Sequence, residues 1–207
     1  MKKQQKFKEK SNFLLIPFLL LSTFLTFRTF KKVNIQDLTI IGSDLFSKDE
    51  IADNSSLNFP IPLILIETKY TEKELRKNLS LEKVSVIRQI LPFGLKILIK
   101  TRTPIAYGEK IFEGEKISGF IDEDGFFIAE KHTDKKNLKK FSIRVSGWKE
   151  NFKNTLSKIL NSPYSEVEII TVNFSPNGFL ILEEKDLKKI LLGFNPEIIE
   201  TQLQIIS

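Results

Sequence analysis

Asp122, Glu123 and Asp124 form the densest carboxylate cluster in the chain, and His132 is its only histidine. Paired carboxylates act as acid and base when they face each other across a substrate, about 5–9.5 Å apart. A calcium loop spreads its ligands over about twelve positions. Three consecutive residues ahead of Gly125 fit neither, and the run reads as a solvated turn. His132 lies in the polar stretch KHTDKK without a second histidine or any cysteine, so it reads as an exposed loop residue. The chain carries no GxSxG, no P-loop and no GxGxxG. It is therefore expected not to be an enzyme: no catalytic residue, no metal, no cofactor and no small-molecule substrate.

Charge removes nucleic acid from the partners. The net charge is +6, but residues 1–32 hold eight of the 32 Lys/Arg and only one of the 26 Asp/Glu. The remainder, with 24 basic and 25 acidic residues, has no field to release counterions from a phosphate backbone. The basic excess belongs to a tail (1–11) in which Lys2, Lys3, Lys6, Lys8 and Lys10 read as a topology signal. Behind it, Phe13, Leu14, Leu15, Ile16, Phe18, Leu19, Leu20, Leu21, Phe24, Leu25 and Phe27 form an uncharged apolar run. At ~1.5 Å per residue it covers only ~22 Å, so a membrane span requires all of 12–30, with Arg28 snorkelling to the surface. Bulky Phe24, Leu25 and Phe27 stand where a signal-peptide cleavage site needs small residues. The expectation is a retained single-pass type II anchor touching membrane lipid. It would leave the N-terminus cytoplasmic and 33–207 beyond the plasma membrane.

The elements after the span alternate in type. Val33–Ile41 reads as a strand closed by Gly42. Ser47-Lys48-Asp49-Glu50 and Thr71-Glu72-Lys73-Glu74 are both capping boxes, each predicting a helix start. Val84, Val86 and Ile90, then Leu95, Ile97 and Ile99, alternate on either side of Pro92-Phe93-Gly94, which predicts a hairpin with one buried face. The order to Pro104 is strand, helix, helix, strand, strand: an α+β unit. Arg88 on the first hairpin strand reads as an ion-paired or snorkelling side chain, with a partner contact as the alternative. Beyond Ala106 the pattern is mainly β, with a turn at Asp124-Gly125 and strands near 141–145, 167–174, 179–182 and 187–192. A helix runs from Trp148 to Leu160, with Trp148 capping the core at its start, and Asn195-Pro196 opens a last amphipathic helix.

Three stretches carry a resemblance: LTIIGSDLFSKDEI (38–51), VSVIRQILPFGLKILIKTRTPIAY (84–107) and GFIDEDGFFI (119–128). Val86, Arg88, Pro92, Leu95, Ile97, Pro104 and Ala106 stand at the spacing of the POTRA hairpin in the bacterial cell-division family FtsQ/DivIB, which this chain resembles. Where the family commonly has an acidic residue before Arg102, this chain has Thr101, which weakens a local ion pair. The resemblance implies a POTRA domain over 33–104 and a mainly antiparallel β domain with flanking helices over 105–207. It implies a bacterial divisome scaffold at the septum that recruits FtsB- and FtsL-type membrane proteins and helps control septal peptidoglycan synthesis. The different-class alternative is a POTRA module that receives polypeptides in translocation or outer-membrane assembly.

In the family a further strand follows the last helix and presents the docking surface for FtsB; the sequence given stops before it, so the β domain is expected to be either shortened or truncated at its C-terminus. The sheet edge around Leu187, Ile190 and Leu192 is then the expected partner site. An unpaired edge offers main-chain hydrogen bonds to a strand, and alternate side chains set specificity.

Overall fold

The computed structural model describes residues 2–133, 141–161, 169–176, 179–185, 189–193, 195 and 197–206, with side chains from Leu15 to Ile205. The protein is α+β and divides into two compact units, Met1–Lys100 and Thr101–Ser207.

In the first unit, helix α1 (Lys2–Phe30) precedes β1 (Lys32–Val33), a 3-10 turn (Ile35–Asp37) and β2 (Leu38–Ile41). The expected continuous strand over Val33–Ile41 is broken at Asn34, whose amide donates to the Asp37 carboxylate at 2.9 Å. That local bond draws the backbone into a turn. Helix α2 (Lys48–Asp53) starts where the first capping box predicts, with Ser47 Oγ accepting from the Glu50 amide at 3.1 Å. Replacing Ser47 with Ala is expected to cost about 1 kcal/mol in chemical denaturation. Strand β3 (Ile61–Pro62) pairs with β1, and α3 (Thr68–Asn78) follows.

The second capping box does not start α3, which begins three residues earlier. Thr71 is buried inside it and its hydroxyl donates to Glu67 O at 3.0 Å. Glu72 and Glu74 are used across the fold instead: Glu72 Oε1 accepts from the Val86 amide at 2.9 Å, and Glu74 Oε2 from the Ser56 amide at 2.8 Å.

Strands β4 (Lys83–Gln89) and β5 (Gly94–Lys100) form the predicted hairpin, with Val86 opposite Ile97. Strand β2 lies parallel to β5, so the sheet order is β2-β5-β4. Leu95, Ile97 and Ile99 point into a core closed by Ile51, Leu75 and Leu79. The period-2 pattern and the burial coincide here because only one face of the sheet is covered.

The expected membrane span is overturned. Among the described residues no helix is long and apolar enough to cross a membrane. Helix α1 is 29 residues long, but its first third is lysine-rich. The uncharged run of Phe13–Phe27 stops well short of a ~30 Å hydrocarbon core. Near the end of α1 the Arg28 guanidinium lies 5.5 Å from the ring centroids of Phe24 and Phe93. Lys31 sits 4.7 Å over Phe93 and its carbonyl accepts from the Leu63 amide at 3.1 Å. The single-pass plasma-membrane placement is withdrawn with it.

The second unit is built on one seven-stranded sheet, order β12-β11-β10-β9-β6-β7-β8. Its strands are β6 (Pro104–Phe112), β7 (Glu115–Asp122), β8 (Phe127–Ala129), β9 (Arg144–Ser146), β10 (Ile169–Phe174), β11 (Leu180–Glu184) and β12 (Lys189–Leu192). Four of its six pairings are antiparallel, as expected, but the sheet is mixed, because β9 runs parallel to both β6 and β10. Two helices, α4 (Lys153–Leu160) and α5 (Ile199–Ile206), supply Leu156, Ile159, Ile199 and Leu203 to a core shared with Val172, Leu180 and Leu192. The expected helix from Trp148 starts only at Lys153, after a 3-10 turn over Glu150–Phe152. Leu187, Pro196 and the Ser162-Pro163 and Asn177-Gly178 pairs lie outside the described residues.

Candidate functional site

Two places in the second unit carry the residues singled out by type: the acidic turn after β7, and the β12 edge.

The turn is solvated at Glu123 and Asp124, as expected, but not at Asp122. Asp122 is 4% exposed, and one carboxylate oxygen is hydrogen-bonded to Arg102, itself buried. The other oxygen accepts from the Phe126 amide at 2.7 Å. Asp124, 63% exposed, stands 3.6 Å from the same guanidinium. Phe126 receives two cations, Arg102 at 3.6 Å and Lys153 at 3.5 Å from its ring centroid. The backbone of the turn is pinned as well. Glu123 O accepts from Ser157 Oγ at 3.0 Å and Asn161 Nδ2 at 2.8 Å, while Gly125 O accepts from Trp148 Nε1 at 2.9 Å. Both oxygens of Asp122 are thus engaged inside the protein, and the arrangement is an anchor for strand, turn and helix.

Thr101 supplies no local acidic partner for Arg102, as expected, and the ion-pair partner lies 20 residues away at Asp122. Trp148, 8% exposed and 5.5 Å from Phe127 between ring centroids, belongs to the core. His132 corrects the expectation of an exposed loop residue: it ends a 3-10 turn (Glu130–His132) and is 5% exposed. No polarity signal in KHTDKK foretells that, because burial there comes from packing beside the sheet. Arg88 is exposed on β4, and no ion pair involving it occurs among the described residues.

Strand β12 is the last strand on its side of the sheet. Among the described residues it pairs with β11 alone, antiparallel, with Ile190 opposite Leu182, Leu191 opposite Ile181 and Leu192 opposite Leu180. Leu192 is turned into the core and Ile190 packs against it from a half-buried position. Leu191, 66% exposed, is the side chain that alternation puts on the other face. The sequence points to Ile190 and Leu192 and passes over Leu191, since periodicity in KILL does not say which face is covered. Lys189 pairs with Glu183 at 3.2 Å on the neighbouring strand. Chemically the edge offers main-chain donors and acceptors with one exposed leucine, a binding surface rather than a reactive one.

Titration shifts occur on α3 of the first unit. Burial acts to raise the Glu72 carboxyl, but hydrogen bonds from the Lys69 ammonium and the Val86 amide outweigh it and hold its pKa below the ordinary 4.5. Glu74 behaves likewise, burial being outweighed by its bonds to Ser56 and Tyr70. Folded pKa values below the unfolded ones stabilise the fold above the unfolded value, and that contribution disappears as pH falls through the lowered ones. Glu72→Gln is therefore expected to flatten the acid limb of the Tm–pH curve below about pH 4.5. An acid limb as steep as that of the wild type contradicts the assignment.

No protein-family model matches the chain, and no curated protein matches it either. Fold and site define it as a two-unit α+β protein with an open sheet edge.

Proposed function

We propose that the protein is a non-catalytic scaffold of the bacterial cell-division machinery, of the FtsQ/DivIB kind. In this reading it captures FtsB- and FtsL-type partners by strand addition and helps set when septal peptidoglycan synthesis begins. The observation that carries the reading is the terminal position of β12, paired on one side only. A second support is the β2-α2-α3-β4-β5 order with sheet order β2-β5-β4, the arrangement that the resemblance implies for a POTRA domain.

The test is capture of a purified FtsB-type segment by the full chain. Leu191→Asp changes an exposed side chain, so Tm should move by no more than about 2 °C, as for ordinary surface substitutions. Capture should fall at least tenfold. Ile190→Pro removes a main-chain donor from the same strand and should also abolish capture. Undiminished capture by folded Leu191→Asp and Ile190→Pro chains removes the edge from the proposal. Capture of unfolded polypeptides in general, with no preference for the FtsB-type segment, replaces the division role with polypeptide reception.

A further inference from the structure

Strand β4 is the outer strand of the three-stranded sheet, paired with β5 on one side. The Val86 amide points the other way, since it donates to Glu72 Oε1 at 2.9 Å rather than to β5. In a regular antiparallel ladder the outward-facing positions alternate. The continuous register from Lys83 to Gln89 therefore turns the main-chain groups of Val84, Val86 and Arg88 outward together. Glu72 comes from α3 and is itself held by Lys69 at 2.8 Å, with its side chain 16% exposed. One carboxylate thus occupies the central donor of an edge that is otherwise a template for another strand.

The edge is complementary to itself. A two-fold antiparallel pairing centred on Val86 sets Val84 opposite Arg88, Lys83 opposite Gln89 and Ser85 opposite Ile87 of the other copy. No like charges face each other directly, the arrangement that would otherwise oppose pairing. On the sheet face away from the core, Ile87 is 40% exposed and gains cover from such a partner.

We propose that Glu72 is a guard: it keeps the β4 edge from pairing with β4 of a second copy, and withdrawing its carboxylate opens a self-association site. A chain that offers strands to partners through one edge needs its other edges closed, and this contact closes one of them.

The absence of cysteine makes a register-specific test clean. With Val86 facing Val86 as a hydrogen-bonded pair, Ser85 faces Ile87 as a non-hydrogen-bonded pair, about 4.5 Å between Cα atoms and within disulfide reach. Full-length Glu72→Ala/Ser85→Cys is mixed with Glu72→Ala/Ile87→Cys under mild oxidant. The mixture should form disulfide dimers at least tenfold faster than either chain alone, and at least tenfold faster than the same cysteine pair with Glu72 retained. Glu72→Gln keeps an acceptor for the Val86 amide and should stay as slow as Glu72. Circular dichroism of each chain confirms that folded protein is being compared. Equal rates with and without Glu72 overturn the proposal, as does cross-linking of each chain alone as fast as in the mixture.

Discussion

Asp122→Ala should cost the second unit about 3–5 kcal/mol, the loss typical when one partner of a buried ion pair is removed. The guanidinium of Arg102 stays behind in a site 8% exposed, where its Nε already has no hydrogen-bond partner among the described residues. The Phe126 amide loses its acceptor at the same time, and Asp124 is too solvated to replace the missing charge. Trp148, the chain's only tryptophan, is buried in this unit, so its fluorescence in a denaturant titration reports the effect. Arg102→Met/Asp122→Leu should recover much of the loss, because an apolar pair of similar volume leaves no uncompensated charge. A loss below about 1 kcal/mol for Asp122→Ala contradicts the anchoring role.

Gly94→Ala should destabilise the first unit by roughly 2–5 kcal/mol, combining a strained backbone with a steric clash. Gly94 has φ +151°, and an added Cβ would lie 2.2 Å from the Asp37 carbonyl oxygen. That oxygen ends the 3-10 turn before β2, so relief of the clash has to move β2 away from β5. Gly114 is the internal control: φ is +83°, but no atom lies within 4 Å of the place an added methyl would take. Gly114→Ala should therefore show only the left-handed backbone penalty, about 1–2 kcal/mol. Equal melting temperatures for the two variants would show that the β2–β5 contact is not as tight as the geometry makes it.

The alternation of Val84 and Val86 against Leu95, Ile97 and Ile99 made the first hairpin legible in the sequence, because strand period and one-sided burial are the same local signal. Ser47 marked α2 for a similar reason, its hydroxyl bonding only three residues ahead. Thr71 misled because a capping pattern is local, whereas the carboxylates of Glu72 and Glu74 found amides on β4 and at Ser56. The apolar run of α1 was plain by composition, but composition did not show Arg28 and Lys31 against Phe93.

The candidate site divides in the same way. Residue order alone determined an α+β chain of alternating strands and helices, a neutral part after the basic tail, and a strand within the final third of the sequence. Only the tertiary structure decided that this strand is an edge, that Leu191 rather than Leu192 is exposed, and that Asp122 is buried against Arg102. Hydrophobic period and capping are carried by neighbours a few positions apart. Edge status, burial of a charge and the choice between two faces depend on which distant segments come to rest beside them.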